Sequence, residues 1–260
     1  MDPSGRTVFW FGAPRHRRRS LTVLAMVIAV LAHPLPAQSE DALFERETMP
    51  PLPLSAVAEL SAVGWLSSID PDREGGCTGT LVRPDVVLTA AHCAGKMAPE
   101  GRVFQPGGPG SGRAPMAIAA TLRHPAYDAN GWHDPRFDVG LVFLVGPIPD
   151  VTPVTVSAEE PSGERVALAG FTARDKSTMD GNLACPIVER SERNLVLDCP
   201  VLSGNSGMPV LTHTPSGGWQ MHGVVSSRIA TGLRTSRALA ARQQGWILSQ
   251  LELHDAARRD

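Results

Sequence analysis

The chain has 260 residues, 42% apolar and 19% charged, with 24 Lys and Arg set against 26 Asp and Glu. That is too apolar and too weakly charged for a disordered chain, and the 25 glycines and 23 prolines follow no collagen period. A net charge of −2 lacks the basic excess of a nucleic-acid binder. The length suits one large domain or two small ones, and many turn-formers with few amphipathic stretches favour β structure.

The first segment reads as an export signal. Arg15, Arg17, Arg18 and Arg19 precede the uncharged run Leu21–Ala32, which is followed by Pro34, Pro36 and Ala37. A basic region, a short apolar core and a small-residue exit are the order of a secretory signal. The run is shorter than the roughly 20 residues that cross a bilayer. Residues 1–37 are therefore expected to be cleaved, leaving no stable membrane insertion and a secreted or periplasmic protein. Export also places the four cysteines in an oxidising compartment, where two disulfides are expected; no C-x-x-C pair supports zinc. Residues 38–56, polar and Pro-rich, read as a linker or propeptide.

Short strand-like runs follow at Val63–Leu66, Thr78–Val82, Val86–Thr89, Met116–Leu122 and Val139–Val145. A second set comprises Arg165–Ala169, Ile187–Glu189, Asn194–Leu197, Met208–Leu211 and Gln220–Ser226. Turn signals such as Arg83-Pro84-Asp85 separate them. Gly107–Gly112 reads as a mobile surface loop. Only the end, Ser236–Leu253, has helical spacing, through Leu239, Trp246, Ile247, Leu248 and Leu251.

Three segments carry chemistry. Leu88-Thr89-Ala90-Ala91-His92-Cys93 ends a strand in small residues and presents one histidine. Arg136-Phe137-Asp138-Val139-Gly140-Leu141 sets a carboxylate directly before a buried-looking strand, where an unpaired charge is costly. Leu202-Ser203-Gly204-Asn205-Ser206-Gly207-Met208-Pro209 runs a tight glycine loop into an apolar strand, which can aim backbone N–H groups and a hydroxyl at one spot. Alone, the histidine reads as structural or exposed, the aspartate as a solvated strand edge and the serine as a turn residue.

Together they fall in the order His, Asp, Ser, which is that of chymotrypsin. Thr89–Cys93 resembles the histidine motif of the trypsin/chymotrypsin family, Asp138–Leu141 its aspartate motif and Gly204–Pro209 its serine loop. Cys77 and Cys93, with Gly79-Thr80-Leu81-Val82 between them, resemble its histidine-loop disulfide, and His222–Ser226 is similar to the strand that pairs with substrate backbone. The resemblance implies an all-β fold of two packed six-stranded antiparallel β-barrels, over residues 57–152 and 153–254, the second ending in a C-terminal α-helix. It implies a serine endopeptidase acting on protein or peptide substrates, monomeric, with no metal or cofactor. His92, Asp138 and Ser206 would be catalytic, and the N–H groups of Gly204 and Ser206 would hold the oxyanion. Pro200 and Val201, then Ser226, Ser227 and Arg228, would form the primary pocket. Pro200 stands where trypsin-like members carry a carboxylate, so small or apolar residues are expected before the cut; Arg228 either narrows the pocket, attracts an acidic side chain or points to solvent. Cys185 and Cys199 are expected to bridge a hairpin turning at Ser191–Asn194.

Rival readings compete for the same residues. An α/β-hydrolase fails because Met208 stands at the last glycine of G-x-S-x-G. A catalytically inactive protease-fold binding protein of the cell envelope is the alternative. His124 reads as part of a surface turn, His133-Asp134 as a solvent-facing pair, and His213 and His222 as strand-end residues without a motif. Animal digestive members carry Asp before the nucleophile, paired with a new N-terminus cut at Ile-Val-Gly-Gly. Here the position is Asn205 and no such segment precedes His92. The oxyanion loop is thus expected to form without a defined N-terminus, with residues 38–56 removable.

Overall fold

Alternating aliphatic strands close on themselves in the first half of the described chain. The computed structural model describes residues 48–68, 75–95, 101–230 and 236–259, all within one unit spanning Glu40–Asp260. The signal segment and the start of residues 38–56 lie outside the described residues. Strands β1 (Val63–Ser68), β2 (Gly76–Arg83), β3 (Val86–Thr89), β4 (Arg102–Pro106), β5 (Met116–Arg123) and β6 (Gly140–Leu144) pair as a closed barrel, β1-β2-β3-β6-β5-β4. Leu66, Leu81, Leu88, Phe104 and Leu141 point into it and are fully buried.

The second half repeats the plan. Strands β8 (Arg165–Gly170), β9 (Asp180–Arg190), β10 (Asn194–Leu197), β11 (Pro209–His213), β12 (Trp219–Ala230) and β13 (Ser236–Ala241) pair antiparallel, and a β11–β12 pairing closes the barrel. A short β7 (Thr155–Val156) adds in parallel to β12. Both closed barrels are six-stranded, as the resemblance implies, and closure leaves few exposed edges.

Three expectations need correction. The helix expected over Ser236–Leu253 divides: Ser236–Ala241 is strand β13, and the helix runs Gln244–Ala257. Alanines favour a helix locally, but here Ala238 and Ala240 alternate inward while β13 pairs with β10 and β12 on its two sides. Gly107–Gly112 is not a free loop. It forms a 3-10 turn at Pro109–Ser111, the Ser111 hydroxyl donates to the Gly108 carbonyl at 2.7 Å, and a Cβ on Gly108 would meet the Phe171 ring at 2.4 Å.

The described part of residues 38–56 is no linker. Met49 is buried in the second barrel's core with Leu168 and Leu195, because a large apolar side chain gains more from burial than from exposure to water. Pro51 lies opposite Asp180 as an antiparallel bridge, the Leu52 N–H donates to the Met179 carbonyl (2.9 Å) and the Gly181 N–H to the Pro50 carbonyl (3.0 Å). This strap leads through helix α1 (Leu54–Glu59) into β1. Helix α2 (Ala91–Gly95) follows β3, and the C-terminal helix α3 (Gln244–Ala257) buries Ile247 and Leu251. Its far end is held to the β2–β3 turn by Arg83–Asp255 at 3.0 Å and His254–Asp85 at 3.1 Å.

Candidate active site

The small residues around His92 are small for a packing reason. Ala90, Ala91 and Ala94 are fully buried, and a Cβ on Gly140 would lie 2.7 Å from the Ala94 methyl. That close approach brings the start of α2 against the residue before Val139. Asp138, 3% exposed, accepts the His92 backbone N–H on Oδ1 (2.9 Å) and stands 2.7 Å from His92 Nδ1 through Oδ2. The Ser226 hydroxyl donates to the same Oδ2 at 2.6 Å. A carboxylate withdrawn from water needs such donors, and three converge here. With Nδ1 turned to the carboxylate, neutral His92 keeps its proton there and leaves Nε2 as an acceptor. Tyr127 is a buried neighbour: burial, then the charge of Asp138, pushes its phenol up to about 12.

The serine loop is built on two glycines in the left-handed region. Gly204 has φ +98°, and a Cβ there would lie 2.5 Å from the Ala173 nitrogen; Gly207 has φ +83°, and its Cβ would lie 2.1 Å from the Thr78 carbonyl oxygen. Neither position admits a side chain. The Ser203 carbonyl accepts from the Ala173 N–H (2.8 Å) and the Asn205 carbonyl from the Met208 N–H (2.9 Å). In a planar trans peptide the N–H points opposite its carbonyl, so the N–H groups of Gly204 and Ser206 face away from those partners. Among the described residues neither donates a hydrogen bond. The Cys77–Cys93 bridge adjoins His92, and the Thr78 N–H donates to the Ser206 carbonyl at 2.8 Å, tying the serine loop to the first barrel.

Beside Ser206 opens a cavity of about 210 Å³. Val201, Leu202 and Val225 supply apolar wall, Ser203, Ser226 and Ser227 hydroxyl-bearing wall, and Arg228 also lines it. Pro200, expected at its base, is half-buried and outside this lining, which begins at Val201.

The other singled-out groups take structural places. His124 is not a surface residue: it is 9% exposed, stacked on Phe137 at 4.9 Å and beside Trp246, and burial, then the Arg193 charge, lowers its pKa. His133 is exposed and stacked on Tyr127, whereas Asp134 is buried and held by the Arg136 guanidinium. His222, buried, lies between Thr212 Oγ1 (2.8 Å) and the Glu159 carbonyl (2.9 Å), and His213 packs on Trp219. The nitrogen and sulfur atoms of His92, Cys77 and Cys93 lie within 4.8 Å of one another, but the two sulfurs are joined as a disulfide and offer no thiolate to a metal. The second bridge joins Cys185 on β9 to Cys199 after β10, across the expected hairpin. Sequence reasoning assigned Ser226 only to the pocket and missed its bond to Asp138; a hydroxyl in an otherwise apolar buried run, Val224-Val225-Ser226, was the available signal.

Two closed antiparallel barrels with this arrangement between them define a protease-type domain. Residues 77–217, the stretch that carries all three motifs, match the family described as the trypsin-like peptidase domain, and the chain belongs to the trypsin/chymotrypsin-like protease family. Among curated proteins, none matches the chain.

Proposed function

We propose that this chain is an exported serine endopeptidase. The observation that carries the reading is the double grip of Asp138 on His92, through the ring nitrogen and the backbone N–H together, completed by Ser226. Such a carboxylate holds the ring in one tautomer and stabilises the imidazolium formed in the reaction. In the first step His92 takes the Ser206 hydroxyl proton as the Ser206 oxygen bonds to the scissile carbonyl carbon. The carbonyl electrons move to oxygen, and the resulting oxyanion accepts hydrogen bonds from the N–H groups of Gly204 and Ser206; each such donor contributes about 3–4 kcal/mol. The tetrahedral species collapses, the C–N bond breaks, and His92 gives its proton to the leaving amine. Water then loses a proton to His92 and attacks the acyl-enzyme ester; the C–O bond to Ser206 breaks, His92 returns that proton to the Ser206 oxygen, and the acid is released.

The cavity supports small or apolar residues before the cut: its size is below that of an ordinary ligand pocket, about 300–1,000 Å³, and among the described residues no carboxylate lines it. Efficient cleavage after Lys or Arg, with poor cleavage elsewhere, contradicts this. The basic and apolar leader and the two disulfides support secretion or a periplasmic location, and the substrates are proteins or peptides met there by a monomer. A fluorophosphonate probe tests the reaction. The mature protein should gain one phosphonyl adduct on Ser206, lost in Ser206→Ala and His92→Ala. A folded mature protein that takes no label would instead favour a binding role for the protease fold.

A further inference from the structure

Thr78 lies on β2 next to Cys77 and is fully buried, and its N–H and hydroxyl both reach across to the serine loop. Its hydroxyl donates to the Gly204 carbonyl at 3.0 Å and accepts the Phe171 N–H at 3.0 Å. The Phe171 carbonyl in turn accepts from Asn205 Nδ2 (2.8 Å), and Asn205 Oδ1 accepts the Leu202 N–H (2.7 Å). Asn205 is 2% exposed. The links close a ring: Thr78 to Gly204, through the chain to Asn205, on to Phe171 and back to Thr78. Every member is uncharged, and each of these buried donors and acceptors is satisfied.

The ring acts on the peptide that matters. Gly204 sits between two peptide units; the one before it is fixed by Ala173 and carries the oxyanion-facing N–H, and the one after it is fixed by Thr78 through the Gly204 carbonyl. A glycine is free to flip either unit at little cost, so an unrestrained loop could turn the Gly204 N–H away from the reacting carbonyl. We infer that Thr78 is a positioning residue for the oxyanion hole, acting with Phe171 and Asn205 as a neutral lock that sets the Gly204 peptides before substrate arrives. The β-branched side chain suits the task, since its χ1 is restricted and the hydroxyl direction is fixed in advance. An amide at 205 needs hydrogen bonds and no counter-charge; the lock therefore does without an inserted terminal ammonium group.

This inference rests on the serine-protease reading, and the experiment separates the two. Thr78→Val keeps the volume but removes the hydroxyl, leaving the Gly204 carbonyl and the Phe171 N–H buried without that partner. Expected are a kcat lower by about ten- to a hundredfold, a KM nearly unchanged, and affinity for a peptide boronic acid, which forms a tetrahedral adduct on serine, lower by the same factor. The shape of the pH–rate profile should not move, because His92 and Asp138 are untouched, and Thr78→Ser should recover most of kcat. Asn205→Asp provides a second arm. Ionised, the carboxylate faces the Phe171 carbonyl; protonated, it can donate to it, so the activity of Asn205→Asp relative to the parent should rise as pH falls. A parent protein that neither hydrolyses peptides nor takes a fluorophosphonate sinks the serine-protease reading itself. A parent that is active, with Thr78→Val equally active and equally tight for the boronate, overturns the role of Thr78 alone. If Thr78→Val does not fold, a flat Asn205→Asp ratio across pH overturns the lock.

Discussion

Met49 distinguishes a removable leader from an integral strap. The side chain is 5% exposed and buried among Leu168, Leu195 and Val210 of the second barrel, while Pro50 and Leu52 hydrogen-bond to the backbone at Gly181 and Met179. Truncating a buried methionine to alanine removes its transfer free energy and leaves a cavity, together about 2–5 kcal/mol. A residue in a loose linker costs less than about 0.5 kcal/mol. With a urea slope of about 3 kcal/mol/M, at the upper end for a domain of this size, Met49→Ala should lower the unfolding midpoint by about 0.7–1.7 M. Leu54, 86% exposed and five residues on, is the control, and Leu54→Ala should shift the midpoint by less than about 0.2 M. The assay is equilibrium urea unfolding of the mature chain by tryptophan fluorescence, with disulfides intact. If Met49→Ala and Leu54→Ala are indistinguishable, the strap is not part of the core and the reasoning from its burial is wrong.

Ser226→Ala removes one of the donors to Asp138 and should cut kcat/KM about ten- to a hundredfold, since a hydrogen bond to a charged group is worth about 1.5–3 kcal/mol; an unchanged value would mean that the carboxylate does not need it. Burial lowers the pKa of both His222 and His124, so the unfolded chain takes up protons that the folded chain refuses. Stability should hold above the unfolded value near 6.5 and fall as pH drops below it. The urea midpoint read from about pH 7.5 to about pH 5.5 checks this, with a shallower drop expected in His222→Gln. Asp134 and Glu160, held low by Arg136 and Arg242, act in a separate window, losing their contribution only below about pH 4. Replacing Cys185 and Cys199 together by alanine opens a bridge of sequence separation 14 and should cost about 3 kcal/mol by urea unfolding.

Local patterns were legible where local forces decide. Val86–Thr89 and Asn194–Leu197 were found with their observed ends, because β-branched and aliphatic runs between turn signals have few other uses. Strand β4 was missed: Arg102–Pro106 is short, and its one strong signal, the apolar pair Val103-Phe104, adjoins a glycine- and proline-rich stretch. Strand β13 was misread for the opposite reason, since its alanines favour a helix and only its partners β10 and β12 make it a strand. The site divides the same way. His92, Asp138 and Ser206 each stand inside a compact motif, whereas the partnership of Ser226 with Asp138 spans 88 residues and that of Thr78 with Gly204 spans 126. No neighbouring residue signals such a pairing; it exists only once both barrels have closed. His124 was placed at the surface because Phe137 and Trp246, which cover it, are distant in sequence.

The central claim is that Ser206 is a nucleophile activated by His92 and held ready by an assembled oxyanion hole. Active-site titration tests it most directly: the mature protein is mixed with an excess of an activated chromogenic ester, and the leaving group is followed from the first milliseconds. The account predicts a burst approaching one equivalent of leaving group per protein, an acyl group found by mass spectrometry on Ser206, and neither in Ser206→Ala. Steady release without a burst, unchanged in Ser206→Ala, would contradict it.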